Sequence, residues 1–157
     1  MQLTARDVMT TRVHTLKPDL TVADAVQFFY KASEEEGRKV FGMMVTDDSD
    51  RLIGMLSMYD ILLFIRPKHI HVWGTMDDID ISGLVDNACD RTRSILVGDI
   101  MSTDLISVTP DTHLMMLLDL MIKKHVRRIP VLENDQILGM VYISDLFYNL
   151  LDKLTAD

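Results

Sequence analysis

The sequence predicts a mixed α/β (α+β) fold made of one β-α-β-β-α unit used twice. Three observations carry this. "DVMT" at residues 7–10 recurs as "DIMS" at 99–102, an offset of 92 (99 − 7), and "TLKPD" at 15–19 recurs as "SVTPD" at 107–111 at the same offset. Gly54 and Asp60 recur as Gly139 and Asp145, an offset of 85 (145 − 60). The second copy is therefore seven residues shorter. Most of the loss falls where the first copy has "SEEEGRK", and another residue goes in the turn, "TDDSDRLIG" against "LENDQILG". Length changes confined to polar segments are the mark of a duplicated supersecondary unit.

The elements follow in order. A short helix carries "ARDVM" in the first copy and "VGDIM" in the second. A short strand comes next, "VHTL" or "LISV", closed by Pro18 or Pro110, since proline has no N–H to donate to a ladder. A helix follows. Thr21 with Asp24 three residues on forms a capping box, with Asp in place of the usual Glu. Val22, Ala25, Val26 and Phe29 give that helix its apolar face, as Leu114, Leu117, Leu118 and Met121 do in the second copy. Two strands come next, "VFGMMVT" and "LIGMLS", then "RIPVL" and "ILGMVYI", joined by turns rich in Asp, Asn and Ser. A last apolar helix ends each copy. Residues 1–65 make the first repeat, 66–96 a connecting segment and 97–157 the second repeat. Within the connection, "KHIHVW" alternates like a strand and "MDDIDISGLVDNACDRTR" has room for a short helix.

Composition narrows the function classes. Of 157 residues 48% are hydrophobic, enough for a packed core rather than a disordered chain. A net charge of −8 argues against a generic nucleic-acid surface, which needs a basic footprint. One cysteine, Cys89, excludes an internal disulfide framework and a Cys-rich zinc site. The longest apolar runs contain Asp60, Asp145 or Asn149 and fall well short of a membrane span of about 20 residues. No secretory signal is visible at the start of the sequence, and a cytoplasmic location is expected.

The chemistry concentrates at the last strand-to-helix junction of each copy. Ser57 falls at an N-cap position and Asp60 at N3, where a carboxylate faces the positive end of the helix dipole. By themselves the two read as a helix cap. The repeated layout "DVM…P…PV…G-apolar-apolar-S-x-x-D", however, resembles the CBS domain family over roughly residues 5–65 and 97–152. That resemblance implies two pseudo-twofold-related repeats packed through their sheets, with clefts that commonly bind adenosine nucleotides or S-adenosylmethionine. It implies that Asp60 or Asp145 holds the ribose hydroxyls, and that Ser57 and basic residues before the "PV" strand contact phosphate. The chemistry agrees: a carboxylate accepts both hydrogen bonds of a ribose diol, and the adjacent Arg127 and Arg128 of "HVRRIPV" suit phosphate oxygens.

The copies depart from the pattern in complementary ways. The first has Phe41 and Gly42 near the positions of Arg127 and Arg128. The second has Tyr142 where the first has Ser57, a residue that cannot cap as serine does but offers a ring and a hydroxyl to a ligand. Ser57 and Asp60 from one repeat with Arg127 and Arg128 from the other make one full set, leaving Tyr142 and Asp145 as the lesser partners.

Other residues read more plainly. His69, His71, His14 and His113 lack the carboxylate or Cys spacing of a metal motif, and Cys89 has no nucleophile signature around it. The 12 methionines read as adaptable core filler, with some at an interface. The expectation is a stand-alone regulatory module without catalytic chemistry or a required cofactor. It binds AMP, ADP, ATP or S-adenosylmethionine as a regulatory ligand, forms a homodimer, avoids nucleic acid and membrane, and passes its signal to a separate effector protein. The alternative is a dimeric interaction platform of the same fold that holds no ligand.

Overall fold

The computed structural model describes residues 3–66 and 81–155. The elements are α1 (Ala5–Val8), β1 (Thr15–Leu16), α2 (Val22–Glu36), β2 (Gly42–Thr46), β3 (Leu52–Ser57), α3 (Met58–Ile65), α4 (Ile81–Thr92), α5 (Val97–Ile100), α6 (Leu114–Lys124), β4 (Arg128–Glu133), β5 (Gln136–Tyr142) and α7 (Ile143–Thr155). The strands form one three-stranded sheet in the order β1-β2-β3 and one antiparallel pair, β4-β5. This is the mixed α+β fold that the repeat predicts. Of the connecting segment, the described part is the helix α4, which packs on α3. The strand-like stretch "KHIHVW" lies outside the described residues.

Two compact units form. Unit 1 comprises Met1–Val13, Asp50–Leu52 and Leu105–Asp157; unit 2 comprises His14–Ser49 and Ile53–Asp104. They cut across the sequence repeats, because each repeat's opening helix is built into the other repeat's core. Ala5 and Val8 are buried with Leu117, Met121, Ile129 and Val131 in unit 1. Val97 and Ile100 are buried with Leu16, Ala25, Val45 and Leu56 in unit 2. Backbone bonds fix the exchange: the Ala5 N–H donates to Thr112 O at 2.8 Å, and the Val97 N–H to Leu20 O at 2.8 Å.

The strand register bears out the alignment of the copies. Leu16 pairs with Val45 and Val108 with Val131, both parallel, so β2 and β4 are related by 86 residues (131 − 45). Phe41 and Gly42 therefore do occupy the positions of Arg127 and Arg128. The lost length is largely helical: α2 has 15 residues and α6 has 11, one turn less.

One expected strand is reduced. "LISV" makes only a bridge at Val108, whose N–H donates to Pro130 O and whose carbonyl accepts from the Leu132 N–H. Extending the pairing by one step needs an N–H at position 130, and proline has none. Its counterpart Met44 has one, and β1 forms there.

The two middle helices end alike with different residues. Gly37 caps α2 at φ 68° and His125 caps α6 at φ 53°, both left-handed. A Cβ at Gly37 would meet nothing within 4 Å, so only backbone conformation is at stake there. Gly37→Ala is expected to cost about 1 kcal/mol, and His125→Gly to stabilise by a similar amount. Urea unfolding of both variants checks the opposite signs.

Candidate functional site

The Ser57–Asp60 pair stands where the sequence puts it. Ser57 ends β3 in extended conformation (φ −116°, ψ 164°) and caps α3. The Asp60 Oδ2 accepts from the Ser57 N–H at 2.9 Å and from the Ser57 Oγ–H at 3.1 Å, while the Asp60 N–H donates back to Ser57 Oγ at 3.3 Å. The same device opens α1, where Thr4 N–H donates to Asp7 Oδ2 at 2.9 Å, and α2, where Thr21 N–H donates to Asp24 Oδ2 at 3.1 Å. Ser/Thr-x-x-Asp thus starts three of the described helices, α1, α2 and α3.

A long-range contact that sequence reading missed sets Asp60 apart. Its second oxygen, Oδ1, accepts from the Ser102 hydroxyl at 3.2 Å, across 42 residues of sequence. Ser102 is the last residue of "DIMS". Its backbone is clamped to β3 by two bonds with Met55, at 2.8 and 2.9 Å. The recurrence of "DVMT" as "DIMS" was the available signal, since Thr10 makes the equivalent pair of bonds with Met140.

Unit 1 brings four of the expected residues onto one hairpin and the helix that follows. Arg128 on β4 lies directly opposite Tyr142 on β5, so both side chains leave the same face of the pair. The preceding Arg127 is exposed, and its carbonyl accepts from the Ile143 N–H at 2.8 Å, which seats the start of α7. Asp145 follows in the first turn of α7. Beside it an open cleft of about 490 Å³ is lined by Asp7, Thr10, Asp145, Asn149 and Asp152 among others. A hairpin turn of two left-handed residues, Asn134 and Asp135, holds β4 and β5 in register. Unit 2 holds the other two expected residues, Ser57 and Asp60. There Phe41 offers only its carbonyl, which accepts from the Met58 N–H at 2.8 Å.

The histidines have local roles. His113 caps α6 through Nδ1, which accepts from the Met115 N–H at 3.0 Å. His14 lies between Glu35 and Glu36, at 3.7 and 3.5 Å. His69 and His71 lie outside the described residues. Among the described residues no group of three or more His, Cys, Asp or Glu side chains is arranged to hold a metal ion, and no helix is long and apolar enough to cross a membrane.

The model of the CBS domain family matches residues 5–67 and again 97–152. The chain is a tandem CBS-domain protein. An uncharacterized 17.7 kDa protein of Acidianus ambivalens is 28% identical over 149 residues, covering 94% of this chain and 73% of the relative. The chloroplastic CBS-domain protein CBSX2 of Arabidopsis thaliana is 29% identical over 140 residues, which span 84% of this chain and 56% of that sequence. The crystal structure of the CBSX2 CBS pair superposes with a TM-score of 0.75 at 26% identity, over 100% of both chains. A crystal structure of CBSX2 in complex with AMP matches 96% of this chain and 98% of its own at a TM-score of 0.69 and 25% identity. Neither relative is named as an enzyme.

Proposed function

We propose that this CBS pair is a non-catalytic regulatory module that binds an adenosine-containing ligand, AMP, ADP, ATP or S-adenosylmethionine. The observation that carries the reading is the full-length likeness to a CBS pair that binds AMP. The residues support it. Asp60 and Asp145 each offer a first-turn carboxylate to a ribose, and Arg127 and Arg128 supply positive charge for phosphate in a chain of net charge −8. Tyr142 offers a ring and a hydroxyl where a second Ser57 would stand. Ser57 commits its hydroxyl to Asp60, so its contribution is to hold that carboxylate. A separate effector protein in the cytoplasm would receive the signal.

A specific observation favours a second reading, the dimeric platform. Helix α3 buries none of its residues, and Met58, Tyr59, Leu62, Leu63 and Phe64 are each at least 40% exposed. On α7, Phe147 and Tyr148 stack edge to face with ring centroids 5.6 Å apart, yet both are more than half exposed. Exposed apolar surface on each of these helices calls for a partner, and a second copy is the simplest one. Dimerisation itself is compatible with the first reading: we expect a homodimer that also takes ligand. Native mass spectrometry of the purified protein tests both at once. A dimer mass with retained nucleotide, or with AMP after its addition, supports the proposal. A bare dimer that takes up no adenosine compound leaves only the platform, and a monomer at micromolar concentration removes the dimer.

A further inference from the structure

We infer that Ser102 determines how strongly the Asp60 carboxylate distinguishes ribose from deoxyribose, an inference that rests on the adenosine-binding reading above. The reasoning is a count of acceptor sites. A carboxylate has about four lone-pair positions, two on each oxygen. On Asp60 Oδ2 both are taken, by the N–H and the O–H of Ser57. On Oδ1 one is taken by the Ser102 hydroxyl. One position is left. A ribose 2′,3′-diol brings two O–H donors, so only one of them finds a vacant acceptor on this carboxylate. The second bonds only if Ser102 gives up its own bond.

Ser102 is built to stay close and able to let go. Its backbone is fixed on both sides by Met55, and the absence of a side chain on Gly54 lets it approach: a Cβ there would lie 3.1 Å from Ser102 O. The side chain itself is exposed, so its hydroxyl can turn to water by rotation about one bond. In the native protein the second ribose hydroxyl therefore exchanges one hydrogen bond to Asp60 for another and gains little. Without the Ser102 hydroxyl the same contact is a net gain. A net hydrogen bond is worth about three- to tenfold in affinity.

The experiment is calorimetric titration of AMP and 2′-deoxy-AMP into the native protein, Ser102→Ala and Ser102→Thr. Native protein is expected to bind the two nucleotides within about threefold of each other. Ser102→Ala is expected to bind AMP about three- to tenfold more tightly, with 2′-deoxy-AMP changed by less than about twofold. Ser102→Thr keeps the hydroxyl and is expected to restore the native ratio. AMP binding with the same AMP to 2′-deoxy-AMP ratio in native protein and Ser102→Ala, or a weaker AMP in the alanine variant, overturns the role of Ser102 alone. No binding of AMP to native protein overturns the adenosine reading itself, and this inference with it.

Discussion

Replacing Gly139 by alanine is expected to destabilise the protein by about 3 kcal/mol, the upper end of the range for overpacking a close contact. A Cβ at Gly139 would lie 2.5 Å from the carbonyl oxygen of Thr10, with Met9 Sδ and Cγ at 3.0 and 3.1 Å. The obstructing atom is backbone, and it is itself bonded: the Met140 N–H donates to Thr10 O at 3.0 Å, and the Thr10 N–H donates to Met140 O at 2.9 Å. Relief means breaking the attachment of "DVMT" to β5, and with it the seat of α1 in the unit 1 core. Gly54→Ala, the matching change in the other repeat, is expected to cost only about 1 kcal/mol. Its closest neighbours are Met101 Sδ and Cγ, at 2.5 and 2.9 Å, in a flexible side chain that can swing aside, and the backbone carbonyl of Ser102 stands at 3.1 Å, where a shift of a few tenths of an ångström suffices. Thermal unfolding reads the difference as a fall of about 6–12 °C against about 2–4 °C for a chain of this size. Equal shifts would show that the two approaches are not held as described.

Asp60→Asn is expected to weaken AMP by about ten- to a hundredfold, from the loss of a charge-assisted contact worth about 1.5–3 kcal/mol. The fold should tolerate the change. An asparagine carbonyl can still accept from the Ser57 N–H, and the amide can donate to the Ser102 hydroxyl in place of the bond it now receives. The loss in stability is then that of a weakened cap, about 1 kcal/mol. Asp145→Asn is expected to weaken AMP less, because Tyr142 lacks the short hydroxyl side chain through which Ser57 binds Asp60. The check is calorimetric titration beside urea unfolding of each variant. A stability loss at Asp60 with no change in AMP affinity would make it a helix cap and nothing more. Equal losses of affinity at the two aspartates would remove the distinction between the repeats.

What sequence could and could not give follows from the range of the interactions. Ser57 with Asp60 and Thr21 with Asp24 were legible because capping is a matter of three-residue spacing. The alignment of Phe41 and Gly42 with Arg127 and Arg128 was legible because the repeat carries its own register. The exchange of α1 and α5 between the repeats was not. Ala5 and Val8 have the same apolar character whichever core receives them, and long-range backbone bonds, among them those to Thr112, Pro110 and Met140, decide it. Ser102 escaped for the same reason, lying 42 residues from the carboxylate it touches. The short strand "LISV" failed through a residue outside it, Pro130, whose missing N–H faces Val108 from the neighbouring strand.

The central claim is that this CBS pair binds an adenosine nucleotide through ribose and phosphate. It is tested most directly by titrating AMP and adenosine into the native protein and into Arg128→Ala. The account predicts saturable binding of AMP to the native protein, tighter than adenosine, with Arg128→Ala weakening AMP toward adenosine and leaving adenosine unchanged. Absence of binding by AMP at millimolar concentration, or an Arg128→Ala loss shared equally by adenosine, would contradict it.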